Sequence, residues 1–393
     1  MPVTHARIAP SCYLLESRVL DVLKAIATQF QIGGVIISIT PLGEGNVNET
    51  YQVTCQENIF QDQLLQEQLL RRYVMQRINT AVFPRPELVM ANINVLANHV
   101  ASHPLDKDWV MPTAIPIRNS DQTWLEQEGQ FWRMLTFVEN AQTLQTIGST
   151  QEAQQVGRAL GVFHHLVSDI PTDALADTLP GFHVTPGYFQ TFQNGLAEAL
   201  ATPNAPISQE LETCLKFVDQ RAGRVDVLEA ALARDELQSR PIHGDPKVNN
   251  VMLCSTSGCA LAMIDLDTVK PGLVHYDIGD CCRSGCNRQG EESEDINAVF
   301  FDLGLCQAIL EGYLSAAKGT LNNHDFDYIY DAIHLITFEL GLRFLTDHLA
   351  GNVYFKVNRP DHNLHRAQVQ FKLVESIEQQ ESSIRSIVER LRP

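Results

Sequence analysis

Three side chains that could move a phosphoryl group fall inside one short loop of this chain. The run Pro241-Ile242-His243-Gly244-Asp245-Pro246-Lys247-Val248-Asn249-Asn250 puts Lys247 two residues after Asp245 and Asn250 five residues after it. A further carboxylate, Asp265, closes the apolar stretch Leu261-Ala262-Met263-Ile264, and Asp267 follows two residues on. Transfer from ATP to a hydroxyl needs such a set. One carboxylate orients the attacking hydroxyl, an amide and a second carboxylate hold magnesium, and a cation meets the phosphoryl group in transit. Asp245 is the candidate for the first role, Asn250 and Asp265 for the second, and Lys247 for the third.

Each residue has a plainer use. Gly-Asp-Pro is good turn chemistry, so Asp245 alone would be a weak signal. Its weight comes from the spacing, which equals that of the protein-kinase catalytic loop, H-R-D-x-x-x-x-N, with a metal-binding Asp downstream. Asn250 offers a neutral oxygen, which suits magnesium once phosphate oxygens fill part of its octahedron. Asn249 would point elsewhere on an extended backbone and reads as a turn residue. A carboxylate at a strand end, as expected of Asp265, is costly unless a cation meets it. Asp267, on the same side of an extended strand, is either a further metal ligand or a hydrogen-bonding partner of the loop. His243 reads as a brace for the loop. Asp277, in His275-Tyr276-Asp277-Ile278-Gly279-Asp280, sits where a helix should begin and reads as support for the catalytic loop.

These residues must be positioned by elements, and periodicity predicts them. Glu16 to Phe30 and Pro86 to Val100 have helical spacing, and Val35 to Ile39 is a β-branched strand. A turn with Gly43 and Gly45 leads into a second strand. Backbone N–H groups there could cover phosphates, and glycine lets the backbone come close. Gln56 to Arg72 reads as a solvated connection and Tyr73 to Ile78 as a third strand. That strand has no lysine. Arg77 is its candidate phosphate ligand, with Gln76 on the opposite face as the alternative. Trp109 to Ile117 and Gly129 to Phe137 read as further strands. After residue 139 the pattern turns helical, over Gln151 to Leu166, Pro186 to Leu200, Ser208 to Arg234, Asn297 to Ala317, Phe326 to Leu349 and His365 to Leu391. The expected fold is α+β. A nucleotide-binding lobe over residues 1–139 is built on an antiparallel sheet, and a helical lobe over 140–393 carries the catalytic loop and the substrate site.

Composition narrows the partners. The 393 residues carry a net charge of −18, which argues against nucleic acid. No apolar run reaches the length of a membrane span, and Met1 to Phe30 has no leader pattern, so a cytoplasmic protein is expected. The nine cysteines are irregularly spaced and read as reduced core residues. Cys281, Cys282 and Cys286 cluster, but without a C-x-x-C pair zinc is the minor reading. The acidic run Glu291 to Asp295 reads as a solvated helix start.

The loop H-G-D-P-K-V-N-N, the run I-D-L-D-T-V-K-P-G-L-V-H-Y-D-I-G-D and the segment Tyr73 to Phe83 resemble the aminoglycoside phosphotransferase/choline kinase superfamily. Within it the chain looks most like the N-acetylhexosamine 1-kinases. Trp132-Arg133-Met134, Leu179-Pro180-Gly181-Phe182-His183, Gly341 to Asp347 and Gly351 to Phe355 fit as well. The resemblance implies a bilobal protein-kinase-like fold, ATP and Mg2+ as cofactors, and phosphorylation of the anomeric hydroxyl of a free N-acetylhexosamine. It also implies that Arg343 and Tyr354 lie on the sugar side. Taken by itself, Arg343 is an odd residue in an apolar helix and could equally be a snorkelling arginine. Ser284 departs from the pattern, since a bulkier aromatic residue is expected after Arg283. The rivals are a kinase of another alcohol (an aminoglycoside, choline or another sugar) and a nucleotide-binding pseudokinase.

Overall fold

In this computed structural model the chain is described over residues 10–43, 47–61, 64–102, 109–201 and 208–393. It forms two compact units, Met1–Met90 with Pro112–Val138, and Ala91–Met111 with Glu139–Pro393. The fold is bilobal α+β, an antiparallel sheet unit and a mainly helical unit, of the protein-kinase-like kind.

The first unit is a five-stranded sheet ordered β1-β2-β3-β5-β4, with β1 Val35–Pro41, β2 Glu49–Gln61, β3 Leu64–Ile78, β4 Trp124–Gln127 and β5 Gln130–Thr136. All its pairings are antiparallel. Period-two alternation puts Val53, Cys55, Tyr73, Met75, Trp132 and Met134 on one face, where they bury against Leu23, Ile26, Ala27 and Phe30 of helix α1 (Pro10–Ala27) and its end. The opposite face carries Thr50, Gln76 and Arg133, which stand in register across three strands.

Two expectations need correction here. Gln56 to Arg72 is no solvated connection: β2 and β3 pair from Glu49↔Arg77 to Gln61↔Leu64 as one long hairpin. Its Gln, Glu and Leu pattern holds a single β-branched residue, Ile59, so local propensity concealed a structure fixed by cross-strand pairing. Trp109 to Ile117 forms no strand and contributes only the isolated bridges Ala114↔Leu135 and Phe30↔Ile117. Two prolines, Pro112 and Pro116, withhold the donors a ladder needs. The sheet instead takes β4, which was not anticipated.

Helix α2 (Pro86–Ala101) runs across the boundary between the units. In the second unit α3 (Thr150–Val167) begins at a capping box, with Ser149 and Glu152 satisfying each other's backbone N–H groups. It lies against α8 (Leu303–Ala317) at very close range. A Cβ on Gly157 would stand 1.9 Å from the Ile309 carbonyl, and one on Gly312 at 1.9 Å from that of Gln154. Only glycine permits that approach, and it brings His164 of α3 to Tyr313 of α8. Then come α4 (Thr185–Ala201), α5 (Gln209–Asp219) and α6 (Val227–Ala233); the expected single helix from Ser208 to Arg234 is broken at a 3-10 turn, Ala222–Arg224. Strands β6 (Ala141–Thr143), β8 (Val251–Cys254) and β9 (Ala260–Met263) make a small sheet, and β7 (Arg240–Ile242) pairs with β10 (Lys270–Gly272). Helices α7 (Val274–Gly285), α9 (Asn323–Asp327), α10 (Ile329–Leu349), α11 (His362–Gln379) and α12 (Glu381–Leu391) complete the unit. A turn at Gln380 divides the last expected helix in two.

The acidic run at 291–295 starts no α-helix; its last residue, Asp295, caps the short 3-10 turn Ile296–Ala298 by accepting the Asn297 N–H at 3.0 Å. Glu291 pairs with Arg283, and Glu292 with His362 and Arg366. Among the described residues no helix is long and apolar enough to cross a membrane, and no three His, Cys, Asp or Glu are grouped to hold a metal ion. Cys281, Cys282, Cys286 and Cys306 are buried free thiols.

Candidate active site

The loop between β7 and β8 has no ladder partner, so its backbone must find other bonds. It finds them in side chains. Asp277 accepts from the N–H groups of His243 (2.7 Å) and Gly244 (2.8 Å). Thr268 Oγ1 donates to the His243 carbonyl at 2.8 Å, and a ring nitrogen of His183 meets the Gly244 carbonyl at 2.8 Å. The Asp245 N–H reaches His243 Nδ1 at 3.3 Å, and Asn250 Nδ2 donates to the Asp245 carbonyl at 2.8 Å. All six backbone polar groups from His243 to Asp245 are thus bonded to side chains. Gly244 has φ +85°, and a Cβ there would meet the Thr268 carbonyl at 2.5 Å, so the site requires glycine.

Asp277 is fully buried in the first turn of α7. Burial works to raise its pKa, but the hydrogen bond and charge of His164 and the His243 N–H outweigh it and hold the carboxyl below the usual range. His164 meets Asp277 at 2.8 Å and Tyr313 at 2.9 Å. Neither His164 nor Tyr313 stood out in the sequence, because only the glycine contacts of α3 and α8 bring them together. Ser284, the departure from the family pattern, accepts the Val248 N–H at 3.2 Å and so braces the loop from α7.

Asp245, Lys247 and Asn250 are brought together. Lys247 Nζ stands 2.7 Å from Asp245 Oδ2, and Asn250 Nδ2 stands 3.0 Å from the same oxygen. Burial tends to lower the Lys247 pKa, but Asp245 and Asp265 outweigh it and raise it, so the ammonium persists. Both bonds from Asn250 leave its Nδ2, which fixes the amide orientation and leaves Oδ1 for a cation. The Ile264 N–H donates to the Asn250 carbonyl at 2.9 Å, tying the loop to the end of β9. Asp265 has φ +64°, a left-handed conformation that costs a non-glycine residue energy and clusters at functional sites. An amide oxygen and a carboxylate are donor types that fit Mg2+, which keeps waters and phosphate oxygens in its remaining positions.

Two premises about this region do not hold. The backbone from Val248 to Asn250 is a 3-10 turn, not extended; Asn249 is nevertheless exposed while Asn250 is buried. Likewise β9 ends at Met263, and Leu266–Thr268 is a 3-10 turn, so Asp267 does not share a strand face with Asp265. Asp267 is buried, and its carbonyl accepts from Thr178 Oγ1 at 2.9 Å.

Arg343, half-buried on α10, lies among the rings of Tyr188, Phe182 and Phe355, with its guanidinium carbon 5.0, 5.1 and 5.7 Å from their centroids. Among the described residues no carboxylate makes an ion pair with it. Burial opposes its charge, while Tyr188, Glu339, Tyr354 and Asp245 outweigh this and raise its pKa. Asp245 is therefore within electrostatic reach. Tyr354 is exposed and stacks edge-on against Phe355 at 4.8 Å. Asp347 shapes that loop, accepting from the N–H groups of Val353 (2.9 Å), Tyr354 (2.8 Å) and Phe355 (2.9 Å).

A family model described as the phosphotransferase enzyme family matches residues 38–311, which include the whole Asp245 to Asp265 constellation. The chain belongs to the phosphotransferase enzyme family. Solved structures share the fold of this phosphotransferase at low identity. An aminoglycoside phosphotransferase from Alicyclobacillus acidocaldarius is 14% identical with a TM-score of 0.62, covering 98% of each chain. A choline kinase from Cryptosporidium parvum is 14% identical with a TM-score of 0.57, covering 94% of this chain and 99% of that one. A microcompartment-associated aminopropanol kinase is 16% identical with a TM-score of 0.55, covering 93% and 98%. The protein is thus an ATP-dependent small-molecule kinase with an alcohol-type acceptor.

The sheet unit of the phosphotransferase carries the remaining candidates. Arg77 shares a face with Tyr73 and Met75 and forms an ion pair with Glu49 across the hairpin. Gln76 faces the other way, where its Oε1 accepts from Arg133 Nε (2.9 Å) and Nη2 (2.7 Å) and its Nε2 donates to Thr50 at 3.0 Å. Arg133 is fully buried, and the sequence reading missed it as a cation; its only local signal was an arginine inside the apolar strand β5. Gly43 has φ +71° with open space where a Cβ would stand. Gly45 lies outside the described residues.

Proposed function

We propose that this kinase phosphorylates a hydroxyl of a neutral, sugar-like acceptor, and more narrowly the anomeric hydroxyl of an N-acetylhexosamine (GlcNAc or GalNAc), to give the sugar 1-phosphate. The observation that carries the reading is the aromatic-flanked Arg343 within electrostatic reach of Asp245. A guanidinium there repels a cationic acceptor and donates hydrogen bonds to sugar oxygens, while flat rings suit a sugar face.

Asp245 orients the acceptor hydroxyl and takes its proton. An anomeric hydroxyl is more acidic than an ordinary alcohol and gives up that proton readily. Lys247 and a basic residue of the sheet unit, Arg77 or Arg133, balance phosphate charge. Asn250 Oδ1 and Asp265 would hold Mg2+, with Asp267 as a further ligand or a support. When bound, Mg·ATP supplies the phosphoryl group and spreads the charge that develops on its oxygens. Gly43 and Gly45 offer backbone donors for the phosphates. Arg343 and Tyr354 hold the acceptor. Positioning and electrostatics then supply most of the rate.

An ADP-release screen over free hexoses, N-acetylhexosamines, choline and aminoglycosides tests this, followed by locating the phosphate on the product. Release with choline or an aminoglycoside alone would replace the reading with the second one, a kinase of another alcohol, which the family and the fold relatives support. Absence of ADP release across the whole panel would favour a nucleotide-binding pseudokinase.

A further inference from the structure

Two buried histidines grip the peptide on which Asp245 sits, and their partners demand opposite protonation states. His183 places Nδ1 3.0 Å from Glu339 Oε1 and Nε2 2.8 Å from the Gly244 carbonyl. A carboxylate oxygen and a carbonyl oxygen only accept, so both ring nitrogens must carry protons. The other oxygen of Glu339 takes the Thr185 hydroxyl at 2.8 Å. His243 differs. Its Nε2 lies 3.0 Å from the Ile264 carbonyl, so it donates there, while its Nδ1 receives the Asp245 N–H at 3.3 Å. That ring must be neutral and protonated on Nε2.

We propose that His183 is a positioning residue for Asp245: as an imidazolium it anchors the Gly244 carbonyl, while neutral His243 receives the Asp245 N–H, and Asp245 is aimed only while the first ring is charged and the second is not. The proposal rests on the reading of Asp245 as the residue that orients the acceptor.

The surroundings agree with both states. His183 faces Glu339 and Arg343 from α10, Asp280 and the Tyr276 ring (5.6 Å) from α7, and Tyr188 from α4. Burial and Arg343 oppose its charge, Glu339 and Asp280 favour it, and the net result is a raised pKa. His243 faces Asp277 from α7, His164 and the Phe163 ring (5.3 Å) from α3, and Asp245 in its own loop; burial prevails and lowers its pKa. The signs follow from linkage. The His183 contribution is complete below the ordinary imidazole range and is lost as pH rises through its raised value. The His243 contribution is complete above that range and is lost as pH falls through its lowered value. Turnover should therefore decline on both sides of the ordinary imidazole value, about 6.5.

The test uses the full chain. Turnover and KM are measured against pH for the wild type, H183Q and E339Q, and the ring nitrogens of the wild type are followed by NMR. His183 should be doubly protonated at neutral pH. H183Q, whose amide can still donate to the Gly244 carbonyl, should lower kcat about tenfold with little change in the KM for ATP. It should also lose the alkaline decline, because an amide does not titrate. E339Q should move that decline to lower pH. A neutral His183 at neutral pH, or an unchanged alkaline decline in H183Q, overturns the proposal. The NMR titration needs no turnover, so an inert wild type would count against the kinase reading alone.

Discussion

The loop that carries Asp245 and the strand that carries Arg77 hold their charged groups by opposite means. Around Asp245 every backbone polar group from His243 to Asp245 is bonded to a directional side chain, supplied by α4's entry, α7, the β9–β10 turn and the loop itself. Among the described residues Arg77 has one ion-pair partner, Glu49, and both are about a third or more exposed. One region is built before any ligand arrives. The other carries a charge that solvent screens and a neighbour already satisfies. Reaction geometry is costly to misplace by even an ångström, whereas a charge that only attracts a polyphosphate tolerates motion.

The largest effect should follow removal of the charge at the centre of the rigid region. D245N should lower turnover about 10³- to 10⁴-fold, as expected for loss of a general base, while ATP affinity is nearly kept. Near-normal turnover would dissolve the contrast at once. D277A comes next. It leaves His164 and two loop N–H groups without their buried partner and should cost about 3–5 kcal/mol of stability, read from the denaturant midpoint. The Asp277 contribution is present above the usual carboxylate range and is lost as pH falls through its lowered pKa, so the variant should also be less sensitive to acid than the wild type.

The same contrast governs what the sequence could convey. The Asp245–Lys247–Asn250 loop was legible because its chemistry is local: the partners lie within five residues, and a turn brings them together whatever the rest of the chain does. The helical pattern after residue 139 was legible for a similar reason. The supports were not. His164 reaches Asp277 across 113 positions and His183 reaches Glu339 across 156, and no local pattern marks either pair. The β2–β3 hairpin was missed because pairing between strands, not propensity within them, holds it. Asp265 was placed at a strand end, but its left-handed backbone could not be foreseen, since aspartate tolerates that conformation without requiring it.

Arg343 stands between the two extremes, held by rings instead of by hydrogen bonds. R343A should raise the acceptor KM about tenfold or more, or ~1.4 kcal/mol of binding, and leave the KM for ATP unchanged. R343K keeps the charge but loses the flat guanidinium that lies among the rings, so it should recover only part of the affinity. An equal loss for both substrates would move Arg343 from acceptor binding to support of the loop.

The smallest effects separate the two basic residues of the sheet unit. Q76A removes two hydrogen bonds from the buried Arg133 and should cost about 1–3 kcal/mol, the usual penalty for a buried polar group left short of partners. R77A removes only the exposed pair with Glu49 and should change stability by about 0–1 kcal/mol. Binding of ATP decides between them. If the cation that meets the phosphates is Arg133, loosening it through Q76A raises the KM for ATP and R77A leaves it alone. If R77A raises that KM while stability stays constant, Arg77 is the ligand, and its pairing with Glu49 must open for ATP. In that outcome E49Q should tighten ATP binding, because the phosphates no longer compete with a carboxylate for the same guanidinium.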